Sequence, residues 1–146
     1  MKSERFTFRG SVHVLLVKEG RVLLLRRANT GYMDGHYSVP AGHLDGNETV
    51  IDAAIREARE EAGVSLTPDD VQVVGVMHRG AKSAEYIDFF VAATQWRGQL
   101  ENREPHKCDE LRWEALDQLP VTVIPYIRRA LENYQQGRWF DTFGLA

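Results

Sequence analysis

The apolar residues of this chain fall first into short β-type runs and then into helical stripes, twice over. Residues 6–17 are rich in β-branched and aromatic side chains, Lys18-Glu19-Gly20-Arg21 breaks the run, and 22–25 resume it, which predicts a hairpin. Residues 28–35 gather Asn29, Thr30, Gly31, Asp34 and Gly35, a loop composition, before the short apolar segment Tyr37-Ser38-Val39 and a stop at Pro40. That loop is expected to sit over a site. From 49 to 62 the residues Ile51, Ile55, Ala58 and Ala62 recur at helical spacing and Gly63 ends the stripe. Residues 71–77 and 86–94 read as strands and 110–113 as a shorter one. A second helix is expected over 123–136, with Ile124, Ile127, Ala130, Leu131 and Tyr134 on one side and Gly137 at its end. Strands then helix, given twice, is an α+β pattern: a curved mixed sheet with a helix on each face would bury both stripes.

A chain of 146 residues has room for one domain, 1–146, and buries roughly 68–70% of its unfolded surface without staples. The lone cysteine, Cys108, cannot form an internal bridge; it reads as a buried thiol in a reducing compartment. Eighteen basic against twenty-one acidic residues give a net charge of −3, so no global basic field exists to hold a long nucleic acid. No apolar run approaches the roughly 20 residues of a membrane helix, and residues 1–10 lack the apolar core of a secretory signal. A cytoplasmic location is expected, with no membrane partner. Oligomeric state, monomer or homodimer, stays open.

The chemistry lies in the first helix. At 100° per residue, Glu57, Glu60 and Glu61 fall within an arc of about 100°, beside the apolar stripe. Like charges at these spacings cost a bare helix roughly 0.2–0.5 kcal/mol per pair, a conflict that a divalent cation removes. Carboxylate ligation selects Mg²⁺ or Mn²⁺, ions that commonly bridge protein carboxylates to substrate phosphates. The competing reading is a solvated face tied by pairs such as Arg56 with Glu60.

Gly42 and Gly46 flank a tight loop entering this helix. The order Gly42, five residues, Glu48, seven residues, Arg56-Glu57, Ala58, Arg59, Glu60-Glu61, Ala62, Gly63, Val64 resembles the Nudix box, and every defined position matches. The resemblance extends along the chain and implies the Nudix αβα sandwich, a hydrolase that cleaves a pyrophosphate bond in a small nucleotide (a nucleoside triphosphate or nucleoside diphosphate derivative) with Mg²⁺ or Mn²⁺. By position it implies metal ligands and base function at Glu57, Glu60 and Glu61, with Arg56 orienting Glu57. It also implies a metal-ligating loop carbonyl at Ala41, beside Gly42 in the substrate loop. Many members carry glycine where Ala41 stands, and a side chain there is costly if the backbone requires positive φ.

A late-loop glutamate serves some members as a further metal ligand or base. Glu104 lies where it is expected, with Glu101, Asp109 and Glu110 as rivals. The resemblance assigns Arg27, at the end of the second strand, to a substrate phosphate, which suits a planar five-donor fork. Tyr32 leads Tyr37 and Trp113 as an aromatic to stack on a base. His43 sits in the box loop, but the five histidines show no zinc-ligand spacing. Two alternatives remain: a nucleotide-sensing module without turnover, against which the intact glutamates argue, and an RNA-end pyrophosphohydrolase, which would want a basic surface.

Overall fold

The computed structural model describes residues 4–145; residues 1–3 and 146, which the leader and single-domain readings include, lie outside the described residues. Strands β1 (Arg9–Lys18) and β2 (Arg21–Arg27) form the expected hairpin. Glu19 and Gly20 both hold positive φ, 53° and 76°, as a two-residue turn matched to strand twist requires. β1 and β2 pair only beside this turn, at Val17 with Val22 and Lys18 with Arg21, and then splay apart.

Two short strands fill the gap. β3 (Tyr37–Ser38) pairs with β2, and β4 (Ala41–His43) pairs with β1, with Pro40 between them. The Pro40 carbonyl accepts the Val14 N–H at 2.7 Å. Helix α1 (Val50–Ala62) follows, then a single 3-10 turn (Pro68–Asp70) and the strands β5 (Val71–Ala81) and β6 (Ala84–Ala93). β7 (Cys108–Ala115), α2 (Pro125–Gln136) and β8 (Phe140–Phe143) complete the order. The mixed sheet runs β3-β2-β1-β6-β5-β8, with β4 added on β1 and β7 on β2.

Each helix covers one face, as the two stripes require. α1 buries Ala53, Ala54, Ala58 and Ala62 against Val12, Val14, Leu16, Leu23 and Val91. α2 buries Ile127, Ala130 and Leu131 against Leu15, Val17, Leu24, Met77 and Phe90. Thr49 caps α1 by accepting the Asp52 N–H at 3.0 Å, and Gly63 closes it at φ 72°. Small residues on the α1 stripe let the helix lie close to β1, which brings its carboxylate side to β4.

Several boundaries differ from the sequence reading. β1 starts at Arg9, and β5 and β6 extend to a hairpin over residues 81–84. α2 starts at Pro125, because Pro favours the first helical position. β4 and β8 were not expected: three residues containing a glycine carry no strand signal, and β8 draws its pairing from β5 rather than from its own pattern. No described helix is long and apolar enough to cross a membrane.

Candidate functional site

The splayed end of the β1–β2 hairpin opens a cleft of about 580 Å³ lined by Arg26, Arg27, Thr30, Ala41, Gly42, His43, Glu57, Glu60, Glu61, Glu104 and Lys107. Four chain segments meet there: the end of β2 with the loop after it, the β3–β4 segment, α1 and the loop before β7.

Glu57 and Glu61, one turn apart, point at β4. Glu57 is only 7% exposed, and its Oε1 accepts from Arg56 Nη1 at 2.7 Å. Arg56 is held from behind by Glu48, which accepts from Nη2 at 2.7 Å and from Nε at 3.2 Å. The sequence alone gave Glu48 no role; its signal was its fixed place in the box, and in the structure it holds the guanidinium that meets Glu57. Glu60, with about half its side chain exposed, lies 3.5 Å from Arg56 Nη1 at the mouth of the cleft.

Glu61 is driven well above the ordinary carboxylate range, first by burial, then by its hydrogen bond with Glu57 and the charges of Glu57 and Glu104. The Ala41 N–H opposes this by donating to Glu61 Oε2 at 3.1 Å. Glu61 therefore keeps its proton beside buried Glu57.

Ala41 sits in extended backbone and is not among the positive-φ residues, so its side chain causes no strain there. Its N–H serves Glu61, and in an extended strand its carbonyl lies on that same edge, facing the carboxylates. Gly42, expected at the substrate, lines the cleft, and there is no room for a side chain on it: a Cβ built there would lie 2.1 Å from Glu57 Oε1.

The late loop is pinned to the end of α1, where the Glu101 N–H donates to the Ala62 carbonyl at 3.0 Å. Asn102 staples it further, donating to the Cys108 carbonyl at 2.6 Å and accepting the Glu104 N–H at 3.2 Å. These contacts turn Glu104 into the cleft beside Glu61. Its rivals go elsewhere: Glu101 pairs with Arg103, Asp109 with Arg26, and Glu110 accepts from the Tyr37 hydroxyl. Cys108 is buried at the cleft wall, and burial pushes its thiol up.

Arg27 lines the cleft but is also tied to its own loop. Nε donates to the Tyr32 carbonyl at 2.7 Å and Nη2 to Thr30 Oγ1 at 3.0 Å. The loop is closed by Asp34, which accepts from the Thr30 and Gly31 N–H groups. The expected base-stacking residues are not brought to the cleft lining. Tyr32 lies over the Arg27 guanidinium, 5.3 Å from ring centre to Cζ, and Trp113 stacks on Trp96 at 6.1 Å. Tyr37 is buried. Lys107 does reach the cleft, a cation the sequence reading missed because nothing in a solvated loop distinguishes one lysine from another.

Among the described residues no three carboxylate, imidazole or thiol groups stand preassembled around one point. The donor chemistry nonetheless fits a hard divalent ion. The carboxylates of Glu57 and Glu61 and the Ala41 carbonyl form an all-oxygen set, and the proton held on Glu61 is the charge that such an ion replaces. Glu60 and Glu104 line the same space.

A pH dependence follows. Glu61 in the folded apo-protein keeps a proton that the unfolded chain releases near 4.5, so its contribution to stability is lost as pH rises above that value. Buried His13, lowered to about 4 from 6.5 by desolvation, acts oppositely: it costs stability as pH falls below 6.5. Above about pH 6.5 only the Glu61 slope remains of the two. In chelator, the melting temperature is expected to fall from about pH 7 to pH 9, and Glu61→Gln is expected to flatten that decline in a thermal-shift series. A wild-type profile identical to that of Glu61→Gln would remove this carboxyl from the account.

The fold and this carboxylate helix define a class. The NUDIX domain model matches residues 7–140, so the chain belongs to the Nudix family and is a pyrophosphohydrolase of that family. It is similar to the phosphatase NudJ of Escherichia coli O1:K1 / APEC, 40% identical over 127 residues that cover 82% of this chain and 78% of that protein. It is 29% identical over 136 residues to an RNA pyrophosphohydrolase of Acidiphilium cryptum, covering 82% of each. A putative 8-oxo-dGTP diphosphatase of Bacillus subtilis is 25% identical over 128 residues, covering 88% of this chain and 80% of that one. Among solved structures, the MutT NUDIX hydrolase of Burkholderia pseudomallei superposes with a TM-score of 0.78 at 28% identity, over 87% of this chain and 98% of that one.

Proposed function

We propose that this enzyme hydrolyses a pyrophosphate bond in a small nucleotide, a nucleoside triphosphate or nucleoside diphosphate derivative, with Mg²⁺ or Mn²⁺ held by Glu57, Glu61 and the Ala41 carbonyl. The observation that carries this reading is the buried Glu57–Glu61 pair on α1, facing a cleft rimmed by Arg27 and Lys107. When bound, the ion neutralises phosphate oxygens and acidifies a water.

The residues divide the remaining work. Arg56, clamped by Glu48, fixes the position of the Glu57 carboxylate. Glu57 or Glu104 accepts the proton of the attacking water, since each faces the cleft. Arg27 and Lys107 draw the substrate phosphates in; the free face of the Arg27 fork serves them while its Nε and Nη2 hold the Tyr32 loop. Turnover rather than sensing is favoured because no glutamate of the box is replaced.

Arg27→Ala is expected to raise the Michaelis constant roughly tenfold, the loss of one charge-assisted phosphate contact of about 1.5 kcal/mol or more. Arg27→Lys restores binding only in part, because a point charge cannot hold the loop and a phosphate together. An unchanged Michaelis constant in Arg27→Ala would confine the residue to the loop.

A second reading, removal of pyrophosphate from an RNA end, is favoured by the name of the Acidiphilium relative, an RNA pyrophosphohydrolase. A panel of nucleoside triphosphates, nucleotide sugars, ADP-ribose, dinucleotide cofactors and triphosphate-ended RNA, assayed with Mg²⁺, separates the two. The small-nucleotide reading expects the highest kcat/KM within the small panel. Turnover of the RNA far above every small substrate would overturn it.

A further inference from the structure

The two helices leave part of the sheet bare. Register sets Val76, Phe89 and Phe140 in one row across β5, β6 and β8, with His78, Ile87 and Thr142 in the next. Phe89 pairs with Val12, so this is the face that α1 covers farther along. Val76, Ile87, Phe89 and Phe140 pack into neither core cluster. Phe8 extends the patch by meeting the His78 ring edge-on at 5.3 Å, and Phe6 meets Phe8 at 5.0 Å. Phe6, Phe8 and Phe140 are 60%, 49% and 50% exposed.

The patch adjoins β8, the last strand of the sheet, whose outer edge has no neighbouring strand among the described residues. An apolar face beside an open edge is costly to leave in water and invites pairing.

We propose that this β5–β6–β8 face is a homodimer interface, packed against the same face of a second copy about a two-fold axis. Three half-exposed phenylalanines leave roughly 250–350 Å² of ring surface. With Val76, Ile87 and Phe89 between them, they make the apolar centre of an interface to which each partner gives about 800 Å². The two rows contain no Asp, Glu, Lys or Arg, and aromatic enrichment with depletion of charge marks the centre of an interface. Glu85, in the next row, is tied to His78 at 2.7 Å and gives the patch a polar rim; between that rim and β8 the apolar rows are complementary to the same rows of a second copy, as a two-fold contact requires. The cleft lies at the β1–β2–β4 end of the sheet, away from β8, so both sites stay open in the dimer.

Light scattering and sedimentation equilibrium of the full chain up to roughly 100 µM test this, since assembly depends on protomer concentration. The expected mass is twice 16.6 kDa. Phe140→Glu and, separately, Thr142→Lys are each expected to raise the dimer dissociation constant at least tenfold, or about 1.4 kcal/mol, with turnover unchanged. Thr142 is exposed and belongs to no core cluster, so Thr142→Lys carries the test if Phe140→Glu lowers the melting temperature. A wild-type monomer at the highest concentration, or a dimer that both substitutions leave intact, would overturn the proposal. So would a monomer that sediments with lipid vesicles, which would assign the face to a membrane.

Discussion

Glu57→Gln and Glu61→Gln are each expected to lower turnover by at least about 10²-fold while the fold survives, the range seen for general-base and electrostatic groups. The reason is charge. An amide keeps the shape of the side chain but supplies no anion to hold a divalent ion, and in Glu57 it also ends the ion pair with Arg56. Loss of activity should not track loss of stability. Glu61 in the apo-protein is a buried acid held protonated, so Glu61→Gln removes a group that is costly to ionise and leaves apo stability at neutral pH unchanged or raised. Glu60, half exposed at the mouth, is the carboxylate of the three with the weakest geometric claim on the ion. Steady-state kinetics with saturating Mg²⁺, alongside melting temperatures in chelator, separate the two effects. Wild-type turnover in both variants would take these carboxylates out of the mechanism.

Gly42→Ala is expected to lower turnover by about 10- to 10²-fold without unfolding the chain. The added Cβ would meet Glu57 Oε1 at 2.1 Å and Cδ at 2.4 Å, so the carboxylate must swing away. Because the clashing atoms are the end of a flexible side chain rather than backbone, the fold yields easily. Displacement of a catalytic group by about 1 Å costs up to about 10²-fold. The effect should fall mainly on kcat, since Arg27 and Lys107 still hold phosphate. Kinetics and far-UV circular dichroism of Gly42→Ala check it; a full-rate enzyme would show that Glu57 does its work from more than one position.

The two long helices and the hairpin were legible because each carries its own periodicity and its own terminator: Gly20 at the turn, Gly63 and Gly137 at the helix ends. The carboxylate helix was legible for a different reason, since its spacing works against helix stability and asks for a partner. β4 and β8 were hidden. Their strand character comes from neighbours far away in sequence, β1 for one and β5 for the other. The same limit applied to the aromatics. A tyrosine in a loop and a tryptophan in a strand look alike to a stacking argument, yet Tyr32 meets Arg27 and Trp113 meets Trp96. Glu104 was separable from its rivals only when Asn102 and the end of α1 fixed the course of the late loop.

On the proposed reading, the proton on Glu61 gives way to a divalent ion that the chemistry requires. Turnover of the preferred small nucleotide, measured as Mg²⁺ is titrated into chelator-treated enzyme, tests it most directly, with wild type and Glu61→Gln run side by side. The expected result is no turnover in chelator, a saturable rise for wild type, and for Glu61→Gln a curve displaced to at least about tenfold higher Mg²⁺ with a depressed plateau. Full activity in chelator, or superimposable curves for the two proteins, would contradict it.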